Sequence, residues 1–171
     1  LVDAINNDIL ILDHEESCLV YDEPIVDGLT WKTLVEWWAR KQGISEIAVA
    51  RQQLGKRLMD SLSKESPPEH VFFDTYYRQV KPLLDDKCPA LLPQVYLHYD
   101  PKTIKERKGQ RKFLIQRMDF LLLLPNSIRI VIEIDGSQHY SSNGKPDPAI
   151  YAQTVRGDRE IRLAGYEVYR F

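Results

Sequence analysis

Apolar residues recur at helical spacing in the first half of the chain and gather into short continuous or alternating runs in the second, a change of period that predicts helices followed by a sheet. Thr30 has the chemistry of an N-cap for a helix through Leu34, Val35, Trp37 and Trp38 that stops near Gly43. Ser45 and Glu46 open a second helix through Ile47, Val49, Leu54, Leu58 and Met59. Ser66-Pro67-Pro68-Glu69 opens a third, with proline in its first turn and apolar positions at Val71, Phe72, Tyr76, Val80, Leu83 and Leu84. Ahead of all three, Ile9–Leu12 and Cys18–Tyr21 flank the acidic turn Asp13-His14-Glu15-Glu16 and read as a hairpin. Pro89 and Pro93 interrupt the pattern, and strands are expected at Val95–Tyr99, Leu114–Leu124 and Ile128–Ile132. A loop at 141–148 precedes a helix over Ala149–Ala164. Gly165 ends that helix, and an alternating strand covers Tyr166–Phe171. Both faces of the central hairpin are apolar, so helices are expected on both sides of the sheet.

That hairpin carries acids where grease is the rule. Pro125-Asn126-Ser127 is a turn-forming triplet, and a three-residue loop there sets Leu124 against Ile128 and, counting back, Asp119 against Glu133. Opposed side chains in an antiparallel pair have Cβ atoms about 4.5–5.5 Å apart. Asp135, two residues on, shares the face of Glu133 by the pleat. Carboxylates in an apolar strand are paired or bind a cation, and such close like charges raise one another's pKa. Mg²⁺, which suits one or two carboxylates plus waters and phosphate oxygens, removes the conflict and brings phosphodiester hydrolysis with it. The alternative is neutralisation by Arg117, Arg129 or Arg159 in a structural network.

Composition narrows the class. With 171 residues, 43% hydrophobic and 28% charged, the chain suits a globular protein able to bury a core. The longest apolar run, around Leu121–Leu124, is far shorter than a membrane span. Cys18 and Cys88 lack ligand-like spacing, which fits a reducing, cytoplasmic setting. The chain opens on Leu1 and closes on a strand, so it reads as an excerpt of a longer protein whose other domains would be partners. A net charge of −2 gives no overall attraction to nucleic acid. Locally the balance differs: Lys102, Lys105, Arg107, Lys108, Arg111, Lys112 and Arg117 stand against one acid, Glu106. Lys105, Lys108, Arg111, Lys112 and Arg117 are the candidates for gripping a phosphate backbone, the alternative being a solvated loop.

Four blocks taken together, Ser66-Pro-Pro-Glu69, Arg117-Met-Asp119-Phe120, Ile132-Glu-Ile-Asp-Gly-Ser-Gln-His139 and Asp158 through Phe171, resemble the PD-(D/E)XK, or restriction-endonuclease-like, nuclease superfamily, and within it proteins related to very-short-patch repair endonucleases. The resemblance implies an α/β fold for residues 66–171: a restriction-endonuclease-like core in which a mixed sheet is flanked by helices, truncated at its C-terminus. Residues 1–65 are then an N-terminal hairpin-plus-helices appendage or part of a neighbouring module. It implies Mg²⁺- or Mn²⁺-dependent endonuclease activity on DNA, with RNA as the open alternative, no membrane partner, and a homodimer as one further assembly. Asp119 and Glu133 match the family's metal-binding acids, and Glu69 matches a helical glutamate that some members add to the metal shell. Two residues after the glutamate, where many members carry lysine, this chain has Asp135, and Gln138 or His139 could replace that lysine.

Each assignment has a plainer counterpart. Asp135 is a third metal ligand or an acceptor for the turn after Gly136. His139 is a general base or a structural hydrogen-bonding residue. Gln138 holds phosphate or a metal-bound water, or bonds at the strand end, and Glu69 could serve the helix dipole alone. Asp158 supports the site or pairs with Arg159 on the helix surface. The tryptophans read first as core and second as a platform for bases. Two rival functions follow: a nuclease fold with lost or weakened catalysis that binds nucleic acid or a protein, and an interaction domain that uses its Trp-rich helices.

Overall fold

The computed structural model describes residue 19 and residues 21–64, 66–97, 116–135, 141–142, 145–146 and 148–171. The first helix, α1 (Trp31–Gln42), starts where Thr30 Oγ1 accepts the Thr33 N–H and ends at Gly43, whose φ of 64° lets the chain leave in the left-handed region. It is followed by α2 (Ile47–Met59) and α3 (Pro67–Thr75). The single long helix expected after Ser66 instead passes from α3 through a wide π turn at Tyr76–Val80 into the short α4 (Lys81–Leu84). Pro82 has no N–H to give to the preceding turn, which interrupts the regular ladder at this point.

Strands β1 (Leu92–Leu97), β2 (Gln116–Leu123) and β3 (Arg129–Glu133) come next, followed by the two-residue strands β4 (Ser141–Ser142) and β5 (Lys145–Pro146), α5 (Pro148–Leu163) and β6 (Glu167–Arg170). β4 and β5 form a small sheet of their own, and the main sheet has the order β1-β2-β3-β6. β1, β2 and β3 are antiparallel neighbours, whereas β6 runs parallel to β3 after the α5 crossover. β1 begins earlier than alternation alone predicts and runs through Pro93. An edge position permits this, because the missing N–H breaks no ladder bond of a central strand.

The hairpin register is the one the turn arithmetic predicts. Phe120 faces Ile132, Leu121 faces Val131 and Leu122 faces Ile130, while Leu124 N–H donates to the Ile128 carbonyl at 2.8 Å. Asn126 and Ser127 take positive φ values of 60° and 59° to close the loop.

Helices lie on both sides of the sheet. Phe72 of α3 packs on Phe120 and Phe171, with ring centroids 5.3 and 5.7 Å away, and Phe73 also meets Phe120. Arg170, which the pleat turns to the other face from Phe171, meets Asp158 of α5.

Residues on both sides of the expected boundary at 65/66 share one hydrophobic core, in which Leu29, Trp31, Leu34, Val35, Ala50 and Leu54 join Phe73, Leu91, Phe120 and Val131. Backbone bonds reinforce the join: Leu29 N–H donates to Leu123 O (2.9 Å), Trp31 N–H to Cys88 O (2.8 Å) and Ala90 N–H to Leu29 O (2.8 Å). Gly28, at φ 76°, lies so close to the end of β2 that a Cβ would sit 2.7 Å from Leu124 C and 2.8 Å from Leu123 O. Trp31 and Trp37 are buried, with Trp31 against Tyr77, Trp37 against Tyr21 and the Trp37 indole N–H donating to Asp22 Oδ1 at 2.5 Å, so their faces serve packing. The expected hairpin at 9–21 falls almost entirely outside the described residues. Among the described residues no helix is long and apolar enough to cross a membrane.

Candidate metal centre

One transverse row of the sheet is polar from edge to edge. Carrying the β2–β3 register one step past Phe120 and Ile132 sets Asp119 opposite Glu133. Glu133 in turn pairs with Arg170 across the parallel β3–β6 ladder. On the other side, the partners Pro93 with Phe120 and Val95 with Met118 leave Gln94 opposite Asp119. Gln94, Asp119, Glu133 and Arg170 therefore lie side by side on four strands, and the chain neighbours of the two acids, Met118, Phe120, Ile132 and Ile134, are buried toward the other face.

Among the described residues, the buried charged or polar side chains are Glu69, Asp119 and Glu133, at 4%, 8% and 6% exposure. Burial of a carboxylate in such surroundings needs partners, and the three differ in what they find. Asp119 Oδ2 accepts the Ile134 N–H at 2.9 Å, the amide released where β3 parts from β2. Glu69, in the first turn of α3, receives the Gln94 amide N–H on Oε2 at 2.7 Å. Gln94 sits at a φ of 54°, a left-handed conformation that breaks the pleat of β1 at the position facing Asp119. Glu133 Oε1 is buried with no hydrogen-bond partner among the described residues. Burial, and after it the charge of Asp119, pushes the Glu133 carboxyl up to about 8, against a partial counter-effect from Arg170.

Asp135 leaves the carboxylate pair for a cation within the chain. Its Oδ1 receives Arg170 Nη1 at 2.5 Å, while Asp158 of α5 takes Nη2 at 2.5 Å and Nε at 3.1 and 3.2 Å. The neutralising arginine is thus Arg170. Arg129 sits over the Tyr166 ring, 5.5 Å from its centroid, and the partner of Asp158 is on β6. No set of three or more His, Cys, Asp or Glu side chains comes together to hold an ion among the described residues. Asp119 and Glu133 form a facing pair; Asp135 is bound by Arg170, the ladder neighbour of Glu133, and Glu69 is bound by Gln94, the register neighbour of Asp119.

This arrangement fits a small divalent cation in one respect that the plainer reading leaves open. Mg²⁺ takes one or two protein carboxylates and completes its octahedron with water and phosphate oxygens. A facing Asp–Glu pair, one oxygen of which is buried and unpartnered, offers that number of ligands. Gln138, His139, Lys105, Lys108, Arg111 and Lys112 lie outside the described residues; Arg117 is described for its backbone alone, opposite Tyr96 in β1.

Sequence reasoning missed Gln94 and Arg170. Arg170 carried a signal, an outward charge in the alternating run Tyr166–Phe171, but its partners are remote in sequence. Gln94 carried none, since the kink that turns it to Glu69 is a property of the folded edge strand. Comparison of the chain with protein-family models, with curated proteins and with solved structures finds no match in any of the three.

Proposed function

We propose that the protein is a divalent-cation-dependent nuclease that hydrolyses phosphodiester bonds in DNA on a restriction-endonuclease-like core. The observation that carries this reading is the buried Asp119–Glu133 pair with its unpartnered Glu133 oxygen, on a strand pair where a structural role alone gives no reason for two opposed acids. The mixed sheet with helices on both sides, and the four sequence blocks that resemble the nuclease superfamily, support it. Bound between the two carboxylates, Mg²⁺ or Mn²⁺ would act as Lewis acid on a phosphate oxygen and lower the pKa of a coordinated water.

The chain's own residues have separable tasks. The Ile134 N–H fixes the Asp119 carboxylate in one orientation. Leu121 and Val131, which face each other two residues along on the same side of the sheet as the pair, are fully buried, so water is kept from that flank and electrostatic interactions there are strengthened. Glu69 and Gln94 hold the edge of the row by their own hydrogen bond, at a backbone position that is strained and therefore fixed by its surroundings.

A second reading, a nuclease-fold module with weak or lost catalysis that binds nucleic acid, is favoured by one observation. Asp135 occupies the position where many members of the resembling family carry lysine, and it is engaged by Arg170. A plasmid-nicking assay separates the two. The wild-type protein is expected to convert supercoiled plasmid with Mn²⁺ or Mg²⁺ and to stop on chelation, while Asp119→Ala and Glu133→Ala abolish conversion yet keep the DNA bound. Retained DNA binding without metal-dependent conversion in the wild type would select the second reading, and cleavage surviving both substitutions would remove the site assignment.

A further inference from the structure

Arg170 ends the polar row, and its bonds leave part of it unspent. A guanidinium carries five N–H donors. Nε and one N–H of Nη2 go to Asp158, and one N–H of Nη1 goes to Asp135. The second N–H of Nη1 and of Nη2 is without a partner among the described residues. The side chain is 21% exposed, so these donors can meet something arriving from solvent, yet two carboxylates, Asp135 just past β3 and Asp158 on α5, fix its plane. A guanidinium clamped in this way loses little rotamer freedom on binding and keeps one donor on each Nη for the oxygens of a phosphate.

The location gives that geometry a purpose. The carboxylates of Asp119, Asp135 and Asp158 cluster around Glu133 and would repel an approaching phosphodiester, and Arg170 is directly beside Glu133 in the sheet. A structural salt bridge needs only one of the two acids: Asp158 alone takes the Nε–Nη2 edge. The second contact, to Asp135, holds the guanidinium from another side, at the residue two positions beyond Glu133.

We infer that Arg170 is a phosphate-binding residue, whose guanidinium, positioned by Asp158 and Asp135, takes a non-bridging oxygen of the DNA backbone next to the Asp119–Glu133 pair. This rests on the nuclease reading for its substrate and on the observed Arg170 contacts for its geometry. The same guanidinium opposes a divalent cation at the pair, so removing it affects the two ligands in opposite directions.

The test uses the full chain, a fluorescein-labelled 20-base-pair duplex without divalent cation, and Mn²⁺ alone in a separate calorimetric titration. Arg170→Gln is expected to weaken duplex binding roughly tenfold, the loss of one charge-assisted hydrogen bond. It is also expected to lower the slope of log K against log salt by about 0.9, one phosphate contact, and to leave Mn²⁺ binding unchanged or tighter. A purely structural arginine would weaken both ligands together without changing the salt slope, and that result overturns the inference, as does unchanged duplex affinity. If Arg170→Gln does not fold, Asp135→Asn decides. It leaves Arg170 on Asp158 and frees Nη1, so duplex binding is expected to tighten several-fold, and weaker binding would refute the role. Failure of the nuclease reading looks different: a wild type that neither binds Mn²⁺ nor nicks plasmid, while Arg170→Gln still loses duplex affinity and salt slope, removes the enzyme and leaves the phosphate contact standing.

Discussion

Glu133 is the residue whose chemistry the fold alters most. Its carboxyl is raised to about 8 from an ordinary 4.5, first by burial and then by Asp119. Between those two values the folded protein holds a proton that the unfolded chain releases, so stability falls as pH rises from about 4.5 to about 8 and levels off above. A tenfold change in proton affinity corresponds to about 1.4 kcal/mol, which puts the whole effect on the order of 5 kcal/mol as an upper bound. Glu133→Gln keeps the shape and removes the titration. It is expected to raise the melting temperature at pH 8 relative to wild type, to make little difference at pH 4.5, and to flatten the profile between; parallel profiles for the two proteins would contradict the assignment. Mg²⁺ binding to the wild type should release protons near pH 7, visible as a buffer-dependent enthalpy, and Glu133→Gln should lose that dependence. Asp119 and Glu133 were both legible in the sequence, because charge inside an apolar run is conspicuous. The fate of Asp135 was not, since the cation that claims it comes from β6, more than thirty positions away.

At the scale of elements, the β2–β3 hairpin was the best-specified piece. Period-two patterning fixes which face each residue takes, and a turn triplet of known length then fixes the register. The helix after Ser66 was specified less well. Its apolar spacing continues past Pro82, but periodicity does not register a missing backbone donor, and the π turn at Tyr76–Val80 was invisible to it. The contact between Gly28 and the end of β2 is an element-scale joint that only packing shows. Gly28→Ala combines a positive φ with a 2.7 Å approach to backbone atoms that cannot swing aside. It is expected to destabilise the protein by about 2 kcal/mol or more, measured by urea denaturation; a change within experimental error would mean that the junction yields easily.

For the whole molecule, the decisive feature is the single core that runs from Tyr21 to Val168. The sequence suggests a division at 65/66 because the chain breaks there, with Ser63, Ser66, Pro67 and Pro68 close together. Yet Leu34, Leu54, Leu91, Phe120 and Val131 are all fully buried in the same cluster. A chain beginning at Ser66 is therefore expected to expose the apolar faces that α1 and α2 cover, and to show no cooperative thermal transition by far-UV circular dichroism. A sharp transition from that fragment would establish residues 66–171 as an independent folding unit.

The sequence by itself determined the kinds of element, the hairpin register and the two acids that face each other across it, because these depend on periodicity, turn length and the rarity of charge among apolar neighbours, all local in the chain. The tertiary structure alone decided which strands lie beside the hairpin, and so brought Gln94 and Arg170 into its polar row, passed Asp135 to Arg170 and left Glu133 with an unanswered oxygen. Contacts between residues distant in sequence are set by how the layers pack, and no local pattern encodes them.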